Sequence, residues 1–169
     1  MADLITRIEA EIPALRRYAT ALVRDPAGAE DLVQDCLERA LARRHLWRRP
    51  GHLRAWLFTL MRRIHSNQAR ALYRRPTAVA LDEERATSVA RDDPASRAEL
   101  EQVLTAIDAL PAEQREVLIL VAVEGLRYRE AATVLGVAAG TIMSRLARAR
   151  ERLRMLRAGD REQRLRRVK

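Results

Sequence analysis

Apolar residues recur every three or four positions along most of this chain, which is the spacing of one buried helical face. In the first half this pattern predicts three helices: Asp3 to Val23 with a break or bend near Pro13, Pro26 to Arg44, and His52 to Leu72. Asp25 precedes Pro26 and is expected to cap the second helix. The residues expected to face inward are Leu15, Tyr18, Ala19 and Leu22, then Leu32, Val33, Cys36, Leu37, Ala40 and Leu41, and then Leu53, Trp56, Leu57, Leu60 and Ile64.

The second half contains a helix, a glycine turn and a second helix within Gly125 to Leu153. Ala131, Val134 and Leu135 mark the inner face of the first helix, and Gly136 ends it because glycine readily adopts the left-handed conformation. A second helix packed across a first one is how a helix-turn-helix enters the DNA major groove, so this pattern predicts DNA reading. The second helix should bury Ile142, Leu146 and Ala149 and turn Thr141, Ser144, Arg145 and Arg148 outward.

Helical periodicity also defines the domain organisation, since it is interrupted between the two halves. Prolines 76 and 94 lie in a stretch rich in Asp, Glu, Ser and Thr, which is typical of a flexible linker, with a short helix expected around Leu81–Ala86. We expect an all-α protein with a three-helix domain over 1–73 and a four-helix domain over 98–158. The linker covers 74–97 and a basic tail covers 159–169. Helices of the second half are expected at about 95–109, 111–124, 128–135 and 138–156.

The composition supports helices and a polyanionic partner. Aromatic residues are only 4% of the 169 residues, and the formal net charge is +9. From Arg145 to Lys169 there are 11 basic and 3 acidic residues. For Arg161–Lys169, a solubilising tail is the alternative to a nucleic-acid contact.

Several classes of protein are disfavoured by the sequence. No apolar run approaches the roughly 20 residues that span a bilayer, and the N-terminus is too polar for a signal peptide, so a cytosolic protein without membrane insertion is expected. Cys36 lies on an apolar stripe and is expected to be a buried thiol. We find no phosphate loop, nucleophile–base pair or metal-ligand cluster, and the three histidines, His45, His52 and His65, lack partners at ligand spacing. Neither an enzyme nor a cofactor is expected.

In the segments DPAGAEDLVQDCLERAL and LRAWLFTLMRRIHSN and in the helix-turn-helix, the chain resembles the bacterial extracytoplasmic-function (ECF) sigma factors of the sigma-70-type family. Leu4 to Leu72 resembles region two, and Ala98 to Arg154 resembles region four. The resemblance implies a protein that binds core RNA polymerase, recognises the minus-thirty-five and minus-ten promoter elements and helps to open the DNA. It also implies control by an anti-sigma factor.

The resemblance also implies where polymerase docks. The acidic outer face of the second helix would bind the polymerase clamp helices through Asp31, Gln34, Asp35 and Glu38. The alternative is an ordinary solvated face on which Asp35 and Glu38 pair with Arg39 or Arg43.

For the melted minus-ten element, the resemblance points to the loop before the third helix and to that helix itself. An aromatic face there could stack an unstacked base. Many relatives carry Asn where this chain has Arg63, so base preference at this point is open, and Asn67 one turn later is a substitute amide. The minus-ten candidates are Trp47, Arg48, Arg49, Arg62, Arg63, Asn67 and Arg70.

For the minus-thirty-five element, the candidates lie in and just before the helix-turn-helix. They are Arg127, Arg129, Gly140, Thr141, Ser144, Arg145 and Arg148. Gly140 would let the backbone approach a phosphate closely. Met143, where relatives often carry Lys, is either buried or placed against a thymine methyl. Leu118, Val121 and Ala122 either help to form a groove for the polymerase flap tip or belong to the core.

The linker length gives a further expectation about the arrangement of the domains. About 22 residues span roughly 26 Å as a random coil and about 75 Å when extended. Promoter elements about 17 base pairs apart are separated by roughly 58 Å. We therefore expect the two domains to pack together in the free chain and to separate on polymerase.

Two other functions would fit parts of this pattern. A sigma-like decoy would capture an anti-sigma factor without binding promoters, and it would not need a basic recognition helix. An ordinary helix-turn-helix repressor would leave the first domain unexplained. The basic residues Arg145 and Arg148 favour a functional sigma factor over the decoy.

Overall fold

The computed structural model describes residues 2–47, 52–73 and 103–167. Within these ranges every regular element is helical and no strand occurs, so the predicted all-α class is confirmed. None of the described helices is both long enough and apolar enough to cross a membrane. The predicted linker 74–97, with its short helix at Leu81–Ala86, lies outside the described residues.

The first domain is a three-helix bundle. Asp25 caps its second helix as predicted, because its carboxylate accepts hydrogen bonds from the backbone N–H groups of Ala27 at 3.3 Å and Gly28 at 2.6 Å. The predicted break near Pro13 is wrong: the first helix runs through it, with Pro13 on the exposed side. Water can there bond the carbonyl that a proline leaves without a partner. The elements are α1 (Ala2–Val23), α2 (Pro26–Ala42), a 3-10 turn (Arg44–Leu46) and α3 (Leu53–Tyr73).

The core of this domain agrees with the predicted inward residues, with one correction. Leu41 is 39% exposed, although it was expected inside. It lies five residues after the fully buried Cys36, which is about 140° around the helix and outside the apolar arc. Leu22, Leu37 and Trp56 are half-buried against the core. All of the other predicted residues are buried, together with Ile8, Phe58 and Met61, which the pattern did not single out.

The second domain contains the helix-turn-helix at its predicted place. Gly136 ends α6 with a φ of 66°, the left-handed conformation that its sequence position predicted. The last helix runs to Arg167, so its predicted end near Leu156 is wrong and part of the expected tail is helical. The elements are α4, whose described part covers 103–108, α5 (Ala112–Leu118), a π-helical turn (Ile119–Val123), α6 (Tyr128–Leu135) and α7 (Ala139–Arg167).

The two domains pack directly against each other. Helix α3 lies against α6, and α1 lies against α5 and the π-helical turn. Buried apolar residues from both domains form one continuous cluster. The structure thus has the packed arrangement that the linker length predicts for the chain without polymerase.

Candidate nucleic-acid and polymerase interfaces

The recognition helix α7 is held by an apolar face and presents a polar one. Ile142, Leu146 and Ala149 are buried, as predicted. On the other side, Gly140, Ser144 and Arg148 are exposed and Thr141 is half-buried. The first turn of α7 is closed by the backbone N–H of Thr141, which donates to the Ala138 carbonyl at 2.9 Å. The predicted minus-thirty-five positions of α7, apart from Arg145, therefore share one accessible face.

Arg145 is the exception on this face. Its side chain is only 20% exposed, and its guanidinium lies 2.8 Å from a carboxylate oxygen of Glu113 on α5. Arg145 is therefore positioned by an ion pair and is less free than its place in the sequence suggested. Glu113 was not predicted as part of the site, because nothing local in the sequence relates it to α7.

Met143 was left open between a buried position and a place on the DNA face. It is 56% exposed, so a buried role is excluded. The neighbouring Ser144 hydroxyl donates to the Thr141 carbonyl at 3.0 Å, which fixes its orientation on the helix.

Arg127 and Arg129 lie exposed at the start of α6. The backbone N–H of Arg127 donates to a Glu130 carboxylate oxygen at 2.9 Å, and the other oxygen lies 3.0 Å from His52 Nδ1 of the first domain. The backbone hydrogen bond and, to a smaller extent, His52 lower the pKa of Glu130. Both arginine side chains are thus exposed at a well-anchored helix start.

On α3, three of the predicted minus-ten residues share an exposed face. Arg63, Asn67 and Arg70 follow each other at helical spacing and are all exposed. Arg62 lies elsewhere, half-buried, with its guanidinium 2.9 Å from a carboxylate oxygen of Glu116 on α5. In this arrangement a residue expected to contact DNA is paired with the other domain.

Trp47, which follows the 3-10 turn of the first domain, is half-buried against the core. The guanidinium of Arg7 lies over its ring at 4.9 Å, which is a cation–π contact. Its indole Nε1 is buried and has no hydrogen-bond partner among the described residues. The remaining minus-ten candidates, Arg48 and Arg49, lie outside the described residues.

The acidic face of α2 is accessible for docking. Asp31, Gln34 and Glu38 are exposed, while Asp35 is half-buried and accepts a hydrogen bond from Gln68 of α3 at 3.0 Å. In the described part of the chain, no ion pair joins Asp35 or Glu38 to Arg39 or Arg43. The alternative of an internally paired face is therefore disfavoured.

Besides Glu130, two further carboxylates from the second domain anchor the interface with the first. Glu124 has no exposed side-chain surface and accepts hydrogen bonds from Arg17 at 2.7 and 2.9 Å, while Arg54 donates to its backbone carbonyl at 3.0 Å. Its position follows from the π-helical turn, in which the N–H of Glu124 bonds the carbonyl five residues earlier, at Ile119.

Glu116 is the second of these carboxylates. It accepts a hydrogen bond from the Tyr18 hydroxyl at 2.7 Å in addition to the one from Arg62. Burial and the nearby Glu116 charge raise the pKa of Tyr18 well above its ordinary value. The Tyr18 ring packs on Phe58 with the centroids 4.9 Å apart, so the hydroxyl links the core of the first domain to the second.

The residues that were considered for catalytic or metal-binding chemistry have no such arrangement in the part of the chain that the structure describes. Burial raises the pKa of the Cys36 thiol to about 12, so this cysteine is protonated at neutral pH. No group of three or more metal-ligating side chains occurs among the described residues.

In the predicted flap-tip groove, Leu118 is buried, Val121 is half-buried and Ala122 is exposed, so Leu118 belongs to the core.

Each of the two domains matches the model of a known protein family. A family model described as the sigma2 domain of PhyR matches residues 8–62, and one described as sigma-70 region 4 matches residues 100–153. Among curated proteins, the ECF RNA polymerase sigma factor EcfG of Rhodopseudomonas palustris is 39% identical over 149 residues, which cover 88% of this chain and 82% of that protein.

Two solved structures with similar folds are complexes of a sigma factor with another protein. The sigma factor RpoE from Bartonella quintana, bound to the anti-sigma factor NepR, has a TM-score of 0.73 and 34% identity, covering 92% of this chain and 97% of that one. CnrH, in complex with the cytosolic domain of CnrY, has a TM-score of 0.63 and 30% identity, covering 94% and 88%.

Proposed function

This chain belongs to the ECF RNA polymerase sigma factor family, and on that premise we propose that it directs core RNA polymerase to promoters with minus-thirty-five and minus-ten elements. The observation that carries the proposal is the face of α7. Its buried side holds the helix in place, while the opposite side presents Ser144 and Arg148 to solvent. Side chains of this kind, on the second helix of a helix-turn-helix, can reach base edges and phosphates in the major groove.

The same proposal assigns the first domain to the minus-ten element and to polymerase. The exposed Arg63, Asn67 and Arg70 of α3 offer cations and an amide to a melted strand, and the exposed acidic face of α2 offers carboxylates to a basic surface. Core RNA polymerase and promoter DNA are the partners, and the cytoplasm is where both are encountered.

Control by an anti-sigma factor is part of the proposal. The RpoE and CnrH structures each contain a sigma factor bound to another protein, described as an anti-sigma factor for NepR and as a cytosolic domain for CnrY. In this chain the domains are packed so that Arg62 is paired with Glu116. An inhibitor that binds both domains would preserve that pairing and keep the chain from polymerase.

In vitro transcription with core polymerase on a promoter library tests the proposal. The wild-type chain should start transcription at defined sites that share two sequence elements. Arg148→Ala should reduce the preference for the upstream element, while Arg150→Ala, on the opposite side of the same helix, should not. A chain that binds an anti-sigma factor but never supports defined starts would instead be a decoy.

Polymerase docking is tested separately. Asp35→Ala should weaken binding to core polymerase without changing the selected sequences, because the carboxylate lies on α2 and away from α7. Gln68→Ala is the matched control, since it removes only the hydrogen-bond partner of Asp35. Equal losses for both variants would show that the effect comes from the pairing and not from docking.

A further inference from the structure

Helix α7 continues well beyond the part that forms the helix-turn-helix. It contains 29 residues, so it is about 43 Å long. Ile142, Leu146 and Ala149 fix its first half in the domain, and Leu153 also packs against the core. The residues that the proposed function places on the DNA face end at Arg148, in the first half of this helix.

One side of α7 continues the DNA face beyond Arg148. Arg145, Arg148 and Arg152 are spaced three and four residues apart, so they lie in one row along the helix. Arg148 and Arg152 are both exposed, and neither has an acidic partner among the described residues. The one acidic residue between Ala139 and Leu156 is Glu151, and it is paired with Arg154. Arg145 is paired with Glu113 of α5, so Arg148 and Arg152 are the members of the row whose charge is left uncompensated.

From this row we infer that Arg152 is a further DNA-binding residue, which contacts a backbone phosphate beside the minus-thirty-five element. A recognition helix reads bases with its N-terminal residues. Arg152 lies 11 residues after Thr141, or about 16 Å along the axis, whereas the major groove is about 12 Å wide. The side chain thus reaches the rim of the groove, where the sugar–phosphate backbone lies, and its contact carries no sequence information.

This inference rests on the proposed function, and salt dependence separates the two. Holoenzyme formed from core polymerase and the full chain is titrated with a duplex carrying the minus-thirty-five element, and with a scrambled duplex, between 50 and 200 mM salt. The slope of log K against log salt is negative, and each lost phosphate contact decreases its magnitude by about 0.9, which is about a 3.5-fold difference in K over this range. Arg152→Ala should show that decrease on both duplexes.

Arg150→Ala is the matched control. Arg150 is exposed on the same helix, but it lies two residues from both Arg148 and Arg152, on the opposite side. Alanine favours helix at either position, so both variants should stay folded.

Each outcome decides one point. Equal slopes for Arg152→Ala and Arg150→Ala, a changed base preference in Arg152→Ala, or an effect of Arg152→Ala on polymerase assembly alone would overturn the inference. A wild-type holoenzyme that does not distinguish the two duplexes would instead overturn the proposed function.

Discussion

Arg17 and Glu124 join the two domains through paired hydrogen bonds of 2.7 and 2.9 Å, and the carboxylate in this pair is completely buried. A buried carboxylate is costly unless cations compensate it, so the closed arrangement depends on arginines of the first domain. When the domains separate, water can solvate Glu124 and this dependence disappears.

Arg17→Ala should therefore favour separation of the domains. A hydrogen bond to a charged group contributes about 1.5–3 kcal/mol to stability. Because Arg17 is half-exposed, its removal should weaken the closed arrangement by an amount near the lower value. Small-angle scattering of the free Arg17→Ala variant should show a larger radius of gyration than that of the free wild-type chain.

Arg16→Ala is the control for that measurement. Arg16 is the neighbouring residue and also forms a paired contact, with Glu30 at 2.9 and 3.1 Å, but this contact lies within the first domain and is exposed. Its loss should leave the radius of gyration unchanged. If both variants expanded equally, the interdomain pair would not be what holds the chain closed.

Two glycines of the helix-turn-helix should respond oppositely to alanine. Gly136 has a φ of 66°, where a side chain costs roughly 1–2 kcal/mol, so Gly136→Ala should lower the free energy of unfolding by about that amount. Gly140 is helical and faces open space, so Gly140→Ala should raise it by about 0.5–1 kcal/mol. Urea denaturation measures both.

Gly140→Ala also tests the predicted close approach of phosphate. If the absent side chain matters for DNA, this stabilised variant should bind a minus-thirty-five duplex more weakly in the holoenzyme. Wild-type affinity in Gly140→Ala would contradict that role and leave Gly140 as an ordinary surface position.

The sequence was sufficient for features that depend on neighbouring residues. Gly136 and the apolar spacing before it located α6 from Tyr128 to Leu135, and Asp25 located the start of α2. It was not sufficient for contacts between distant parts of the chain. Arg17 and Glu124 are 107 residues apart.

The same distinction between local features and distant contacts applies to the candidate site. Exposure of Arg148 followed from helical spacing alone. The pairing of Arg145 with Glu113 and of Arg62 with Glu116 did not, since it depends on where α5 packs. The π-helical turn at Ile119–Val123 also shifts the register after α5, and regular 3.6-residue spacing does not predict such a shift.

His65 gives the closed chain a defined pH dependence. Burial is the main cause that lowers its pKa below the ordinary 6.5, while nearby Glu116 opposes the shift. Above pH 6.5 the imidazole is neutral in both the folded and unfolded states. As the pH falls below that value the unfolded state binds the proton more readily, so stability is lost.

His65→Gln should remove this contribution. Between pH 7 and 5 the free energy of unfolding should fall less steeply in the variant than in the wild type, as measured by urea denaturation at each pH. His45→Gln is the control, because His45 is exposed. Parallel curves for wild type and His65→Gln would contradict the assignment.

The pair formed by Glu116 and Arg62 should limit the access of single-stranded DNA to Arg62 in the free chain. In the free chain the Glu116 carboxylate is paired with the guanidinium of Arg62, which is proposed to bind the minus-ten strand. Glu116→Gln removes the negative charge, while the amide oxygen can still accept the hydrogen bond of Tyr18. We expect the free variant to bind a single-stranded minus-ten oligonucleotide about two- to fivefold more tightly, which corresponds to about 0.5–1 kcal/mol.

Glu113→Gln is the matched control for this competition, because Glu113 lies on the same helix but pairs with Arg145 instead of Arg62. It should leave binding of the single-stranded oligonucleotide unchanged in a fluorescence anisotropy titration. In the holoenzyme, where the domains are expected to be apart, Glu116→Gln should lose its advantage because Arg62 is already free. A gain that persists in the holoenzyme would mean that Glu116 repels the strand directly, and the competition between domains would then be the wrong explanation.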